Sequence, residues 1–220
     1  MADLADFTAL VHDLASSDER RRVQAGRRIY LAGVNLVMPL LTQWAADPEF
    51  REQTLPGGAS DGEIAKSESK FRSRDVVVPA RAQFTPSTIV VGIAVRPETF
   101  EKIHAANRCP RLAEVPPDQD AREFELHLDD SIELDILTSK DLNGGGAIAR
   151  FLQKFGEGIQ QVEVYVRNVD RATELLRGRF GLTPLYPVTR AGADGTRINF
   201  FLATTRDAKK VLVELVEAES

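Results

Sequence analysis

The sequence of 220 residues predicts an α+β fold, in which an N-terminal helical extension precedes two strand–helix–strands modules laid end to end. Apolar residues recur at helical spacing over 3–47, which indicates helices. From Thr88 onward, short strands alternate with helices, and this pattern occurs twice. The predicted division is a helical extension at 1–50, a linker at 51–85 and a two-module domain at 86–220, with modules at 86–140 and 156–218.

Local signals mark the first two helices of the extension. Apolar residues at helical spacing predict the first helix over 4–14. Ser16 followed by Glu19 is a capping-box pattern, which starts a second helix. Gly33 is a natural C-terminal stop, so the second helix is predicted to end there.

A third helix is predicted over 36–44, with Pro39 in its first turn. The pattern of residues 14–41 resembles a single HEAT-type helical repeat. One such repeat cannot bury its own apolar face. These helices therefore either pack on the rest of the chain or dock a partner protein.

The segment between the extension and the modules is polar over 51–75 and rich in glycine, serine and charge. This composition predicts a linker or loop. One short strand, interrupted by Pro79, is predicted within 74–84.

Each module begins with a strand, continues with a helix and ends with further strands. The turn pair Asp129–Asp130 predicts a hairpin in the first module. The predicted strands are 89–95, 124–128, 131–137, 162–166, 197–203 and 211–217, and the predicted helices are 97–106 and 169–181.

Alternation along the strands separates an apolar face from a face with isolated polar groups. On the strand 162–166 the valines point one way, while Gln161, Glu163 and Tyr165 point the other. The polar faces of the strands, if they curve together, line a cleft. Its polar candidates are Glu133, Asp135, Gln161 and Glu214.

Composition excludes several classes of protein. A net charge of -5 gives no electrostatic reason for nucleic-acid binding. No apolar run is long enough to span a membrane, and the N-terminus lacks a signal-peptide pattern. The single cysteine, Cys109, is expected to be a structural or surface thiol, and the whole pattern predicts a cytoplasmic protein.

Four segments in order resemble methylmalonyl-CoA epimerases, within the vicinal oxygen chelate or glyoxalase-like superfamily. The opening strand IVVGIAV and the closing strand VLVELVE resemble the strands that begin and end that domain. The segments AIARFLQKFGEGIQQVEVYV and LLRGRFGLTPLYPVTRAGADGTRINFFLA resemble its central and following parts. The resemblance covers about 88–217 and implies two βαβββ modules that form a cupped sheet.

The resemblance also implies a divalent-metal site with four ligand positions. The first, a histidine in the family, falls on Val90, and the second falls on Asp135, with Glu133 as the alternative register. The third, also a histidine, falls on Gln161, and the fourth, a glutamate, falls on Glu214. The remaining donors are all oxygens, which suit Mg or Mn rather than zinc. For His127, beside the hairpin, a structural role is favoured over metal ligation.

The sequence leaves three functions open, two from this resemblance and one from the N-terminal helices. The first is a small-molecule pocket with a degraded metal site, which binds a small organic acid or acyl compound without epimerase activity. Its ligand-binding residues are Gln161, Glu163, Tyr165 and Arg197. The second is a metal-dependent isomerase or lyase in which Glu214 is the catalytic group that moves a proton. The third is an interaction scaffold that binds a partner through the N-terminal helices; the paired modules also allow a homodimer.

Overall fold

The computed structural model describes residues 4–54, 89–129, 132–205 and 210–217. The strand predicted within 74–84 lies outside these ranges. The helices are α1 (Leu4–Asp13), α2 (Glu19–Ala45), α3 (Pro48–Thr54), α4 (Pro97–Ala106), α5 (Ala147–Phe155) and α6 (Val169–Phe180). The strands are β1 (Ile89–Ala94), β2 (Arg122–Asp129), β3 (Ile132–Thr138), β4 (Gly158–Tyr165), β5 (Arg190–Ala191), β6 (Arg197–Thr204) and β7 (Lys210–Glu217). None of the helices in these ranges is long and apolar enough to cross a membrane.

All seven strands form one sheet in the order β2-β3-β1-β4-β7-β6-β5. The two modules meet where β1 and β4 pair antiparallel at the centre. Each of these central strands has a parallel partner on its other side, β3 for β1 and β7 for β4. This arrangement confirms the predicted α+β fold with two successive modules.

The modules differ from the prediction in one respect. The second has four strands around α6, whereas the first has three described strands around α4. A βαβββ unit is therefore complete only in the second module. In the first, the chain between α4 and β2 makes one ladder-like hydrogen bond to the outer strand, from the Ala113 N–H to the Glu123 carbonyl.

The prediction of two separate helices within 16–44 is wrong, because α2 is continuous from Glu19 to Ala45. Its N-cap is Asp18, whose carboxylate accepts a hydrogen bond from the Arg20 N–H, rather than Ser16. Gly33 lies inside the helix, where a Cβ atom would come within 2.5 Å of a Val91 methyl group. It is thus a close-packing glycine and not a stop signal.

Helix α2 crosses the face of the sheet that also carries α4 and α6, here called the helix face. Its N-terminal half packs in the core of the first module through Ala25, Ile29 and Tyr30. Its C-terminal half packs in the core of the second module through Val37, Leu41 and Trp44, together with Phe50 of α3. The apolar side chains of the extension are therefore part of the domain core.

The opposite face, here called the inner face, lies inside a curled sheet. Arg111 lies beside the outer strand β2, and Asp194 follows β5 at the other end of the sheet. The Arg111 guanidinium nevertheless donates two hydrogen bonds, of 3.0 and 2.6 Å, to the Asp194 carboxylate. The Glu114 N–H donates a third, of 2.9 Å. These contacts join the two ends of the curled sheet without strand pairing between them in the described part of the chain, and we call them the clasp.

Candidate functional site

The register of the central strands places the expected site residues in two adjacent rows on the inner face. In one row Gly92 pairs with Asp135 on one side and with Gln161 on the other. In the next, Glu163 pairs with Val90 on one side and with Glu214 on the other. Asp135 therefore belongs to this group.

Glycine at position 92 lets the side chain of Gln161 lie close against strand β1. A Cβ atom there would lie 2.6 Å from Cγ of Gln161. No other residue leaves room for the glutamine side chain to cross above the strand. The close approach directs the Gln161 amide toward the neighbouring row.

One glutamine amide links two carboxyl groups. Nε2 of Gln161 donates a hydrogen bond of 3.0 Å to Oε1 of Glu163 and another of 2.6 Å to Oε2 of Glu214. A side-chain hydrogen bond also connects Asp135 to Glu163. The four side chains thus form one connected cluster, here called the inner cluster (Asp135, Gln161, Glu163 and Glu214).

The inner cluster is almost completely withdrawn from water. The exposed fractions are 6% for Asp135, 6% for Gln161, 9% for Glu163 and 7% for Glu214. None of the ion pairs among the described residues reaches its carboxyl groups, so no lysine or arginine there forms an ion pair that balances their charge. Buried carboxylates without a positive partner are costly, since the ionised form loses its hydration.

Burial sets the protonation of these groups. It raises the pKa of Glu163 to about 7, despite the opposing hydrogen bond from Gln161. Burial, followed by the charges of neighbouring carboxylates, raises the pKa values of Asp135 and Glu214 well above their ordinary values. Carboxyl groups that change protonation near neutral pH are suited to moving protons or to exchanging protons for a cation.

Glu123 is a neighbouring carboxyl group that the sequence analysis missed. Burial, followed by the charge of Glu163, raises its pKa to about 7. It also lines a surface pocket together with Glu114, Arg122 and Lys140. The alternation of Glu123, Glu125 and His127 with apolar residues along β2 is the signal that would have placed it on the inner face.

Of the other two predicted ligand-binding residues, Tyr165 lies on the inner face and Arg197 does not. Tyr165 follows Glu163 on the same face of β4, and burial raises the pKa of its phenol. Arg197 does not join the inner cluster. Its guanidinium donates to Asp170 and to Thr189, and it pairs with Glu217 on the exposed surface.

The donors of the inner cluster decide which metal would fit. The three carboxyl groups offer oxygen ligands, and the Gln161 amide would offer its oxygen after a turn of its side chain, because its Nε2 now faces Glu163 and Glu214. Val90 brings an aliphatic side chain to the remaining family position. Such a set is suited to Mg²⁺, Mn²⁺ or Ca²⁺, and lacks the nitrogen and sulfur ligands that zinc prefers. A divalent cation would also supply the positive charge that the buried carboxylates lack.

No protein-family model and no curated protein matches the chain. Solved structures do. The chain is 32% identical to methylmalonyl-CoA epimerase from Mycobacterium tuberculosis, over 61% of this chain and 89% of that one, with a TM-score of 0.50. A variant of the Streptomyces coelicolor methylmalonyl-CoA epimerase in complex with 2-nitronate-propionyl-CoA is 26% identical, covering 60% and 94%, with a TM-score of 0.49. A hypothetical protein from Bacillus halodurans is 21% identical, covering 60% and 94%, with a TM-score of 0.49.

Proposed function

Because the chain belongs to the vicinal oxygen chelate superfamily of glyoxalase-like proteins, we propose that it binds a hard divalent cation and, through it, a small carboxylate or acyl compound. The cation site is the inner cluster of Asp135, Gln161, Glu163 and Glu214. Mg²⁺ and Mn²⁺ are the expected ions. Two grounds support this function: the fold implies a ligand held at a metal, and this site brings three carboxyl groups together.

One observation supports the proposal most strongly. Three carboxyl groups, each about nine-tenths buried, converge on one glutamine without a basic partner among the described residues. An organic acid alone would be repelled by this cluster once its carboxyl groups ionise. A cation removes that repulsion and leaves coordination positions for the oxygens of a ligand.

The same donors argue against methylmalonyl-CoA epimerase activity. The two positions at which the family resemblance places histidine hold Val90 and Gln161. Valine contributes no ligand, and an amide oxygen is a weaker donor than an imidazole nitrogen toward most divalent metals. We expect no epimerisation of methylmalonyl-CoA at rates typical of enzymes, and proton exchange at its α-carbon, followed by NMR in deuterated buffer with Mg²⁺ or Mn²⁺ present, tests this. Rapid exchange would contradict the expectation.

Cation binding is tested by calorimetry on the full-length protein with Mg²⁺, Mn²⁺, Ca²⁺ and Zn²⁺. We expect Mn²⁺ to bind and to raise the melting temperature, and Glu214→Gln to weaken that binding by at least about tenfold, since it removes one charged ligand. Glu174→Gln, on the exposed side of α6, is the matched control and leaves binding unchanged. Equal Mn²⁺ affinity in the wild type and in Glu214→Gln would contradict the proposed site.

Ligand binding is a separate step with its own measurement. A related methylmalonyl-CoA epimerase structure contains methylmalonyl-CoA, so acyl-CoA thioesters and small dicarboxylates are the first compounds to test. We expect them to bind only with Mn²⁺ or Mg²⁺ present. Binding of equal strength in EDTA would show that the cation has no role in ligand binding.

A further inference from the structure

A second group of metal-binding side chains lies on the hairpin of β2 and β3, outside the inner cluster. Glu125 and His127 alternate along β2, so they share one face of the strand. Glu133 is the direct partner of His127 on β3. One ligand atom from each of these three residues lies within 4.8 Å of the other two.

We propose that Glu125, His127 and Glu133 form a site for a transition-metal cation of the Zn²⁺ type. An i, i+2 pair on one strand together with the residue opposite on its neighbour brings three side chains to one side of a hairpin. One imidazole nitrogen and two carboxylates are the ligand types of open zinc sites, in which water completes the shell. The site goes beyond the proposed function and does not depend on it.

The surroundings of the three residues favour a cation over a purely structural contact. The Nε2 atom of His127 lies 3.2 Å from the Glu125 carboxylate, and its Nδ1 atom lies 3.9 Å from the Glu133 carboxylate. The imidazole is therefore flanked by two carboxylates, and among the described residues no lysine or arginine forms a direct ion pair with them, although Arg111 lies near enough to interact with the charge of Glu125. Glu125 is also the direct partner of the buried Asp135, so the hairpin group adjoins the inner cluster.

The site is accessible and differs in selectivity from the inner cluster. The side chains are 51% exposed for Glu125, 64% for His127 and 25% for Glu133, so a hydrated ion reaches them without rearrangement of the sheet. An imidazole nitrogen binds Zn²⁺, Co²⁺ and Cu²⁺ in preference to Mg²⁺ and Ca²⁺. The hairpin site should therefore bind Zn²⁺ in the presence of excess Mg²⁺.

Zn²⁺ titration of the full-length protein by calorimetry, with Co²⁺ absorption as the spectroscopic readout, tests the proposal. We expect Zn²⁺ to bind in excess Mg²⁺, and His127→Gln to weaken binding by at least about tenfold. His12→Gln, on the exposed side of α1, is the matched control and leaves binding unchanged. Glu214→Gln separates the two sites, because it removes a carboxylate from the inner cluster only.

The two variants distinguish the hairpin site from the inner cluster as the place where Zn²⁺ binds. Zn²⁺ binding that falls in His127→Gln but not in Glu214→Gln supports the hairpin site. Binding that survives His127→Gln and is lost in Glu214→Gln would place the ion in the inner cluster and overturn the proposal. Absence of Zn²⁺ binding to the wild type, with a normal melting curve, would overturn it as well.

Discussion

Glu163 lies at the centre of the inner cluster, between Val90 and Glu214 in the sheet and hydrogen-bonded to Gln161. Its burial makes the ionised form expensive, so the folded protein holds a proton there at pH values where an exposed glutamate has lost it. A cation at the cluster would displace that proton. Stability, protonation and cation binding are therefore linked at this residue.

The pH dependence of stability follows from this linkage. Since burial raises the pKa of Glu163 from 4.5 to about 7, the folded state binds more protons than the unfolded state in this interval. Without divalent cations, the contribution of this group to the free energy of unfolding is fully present below pH 4.5 and is lost as the pH rises to about 7. Urea unfolding in EDTA across this range measures the fall. A free energy that rises with pH over the same interval would contradict it.

A single substitution tests which group is responsible. Glu163→Gln keeps the shape and removes the charge, so it should stabilise the protein at pH 8 by about 1–3 kcal/mol and flatten the pH profile. At pH 4.5 the effect should be small, because the glutamate is protonated there in the folded state. Glu174→Gln is the surface control. An unchanged slope in Glu163→Gln would assign the pH dependence to other groups.

The sequence predicts much of this site. Alternation along one strand is enough to place Gln161 and Glu163 together, and the closing strand supplies Glu214. Asp135 and Glu133 share one face of β3, so alternation alone does not choose between them. Glu123 was missed because the predicted strand began one residue after it.

At the scale of elements, helix α2 shows how tertiary packing overrides local signals. Gly26 and Gly33 are seven residues apart and so lie on the same side of the helix. A Cβ atom at Gly26 would collide with Leu128, and one at Gly33 would collide with Val91. The two glycines let the helix approach the sheet closely. A glycine read from sequence alone predicts a helix end, because its contact with a distant strand is invisible there.

Substitution of glycine by alanine should therefore have opposite effects on stability in α2 and in α6. Gly33→Ala should destabilise the protein by about 1–3 kcal/mol, because the new methyl group overlaps Val91. Gly178→Ala in α6 is the matched control, since its Cβ would have open space around it. That change should stabilise the protein by about 0.5–1 kcal/mol through helix propensity. Thermal unfolding of both variants makes the comparison, and stabilisation by both would show that α2 does not pack closely at this point.

At the scale of the whole molecule, the N-terminal extension joins the two modules. Trp44 and Phe50 are buried in the core of the second module, and Leu10, Val11 and Leu14 are buried in the core of the first. Ion pairs of Arg171 with Glu49 in α3 and of Arg179 with Asp47 just before it add contacts at the surface. The scaffold function remains a prediction, but the apolar residues that suggested it face the sheet.

Removing the extension should consequently expose the helix face. A chain that begins after residue 46 loses the side chains that cover both cores, and an uncovered apolar surface of this size favours unfolding or association. We expect loss of cooperative thermal unfolding by circular dichroism, together with aggregation in size-exclusion chromatography. A monomeric truncated protein with an unchanged melting temperature would show that the extension is an independent unit.

The clasp is the feature that ties the two ends of the curled sheet. Asp194 adopts the left-handed conformation with φ of 50°, which aspartate and asparagine tolerate better than most residues. Its N–H also donates to the Glu114 carbonyl, so one residue makes four hydrogen bonds across the seam. The arrangement holds the segment beside Glu123 against the second module.

Asp194→Asn should loosen the seam without disturbing the fold, because asparagine keeps the backbone conformation and loses the charged pairing with Arg111. Amide hydrogen exchange should speed up in 111–123 and 190–197, while exchange in α2 and the central strands stays unchanged. Asp170→Asn is the matched control: it removes a surface pairing with Arg197 that does not cross the seam. If the two variants exchange alike in 111–123, the curled sheet is held closed by strand pairing and core packing rather than by the clasp.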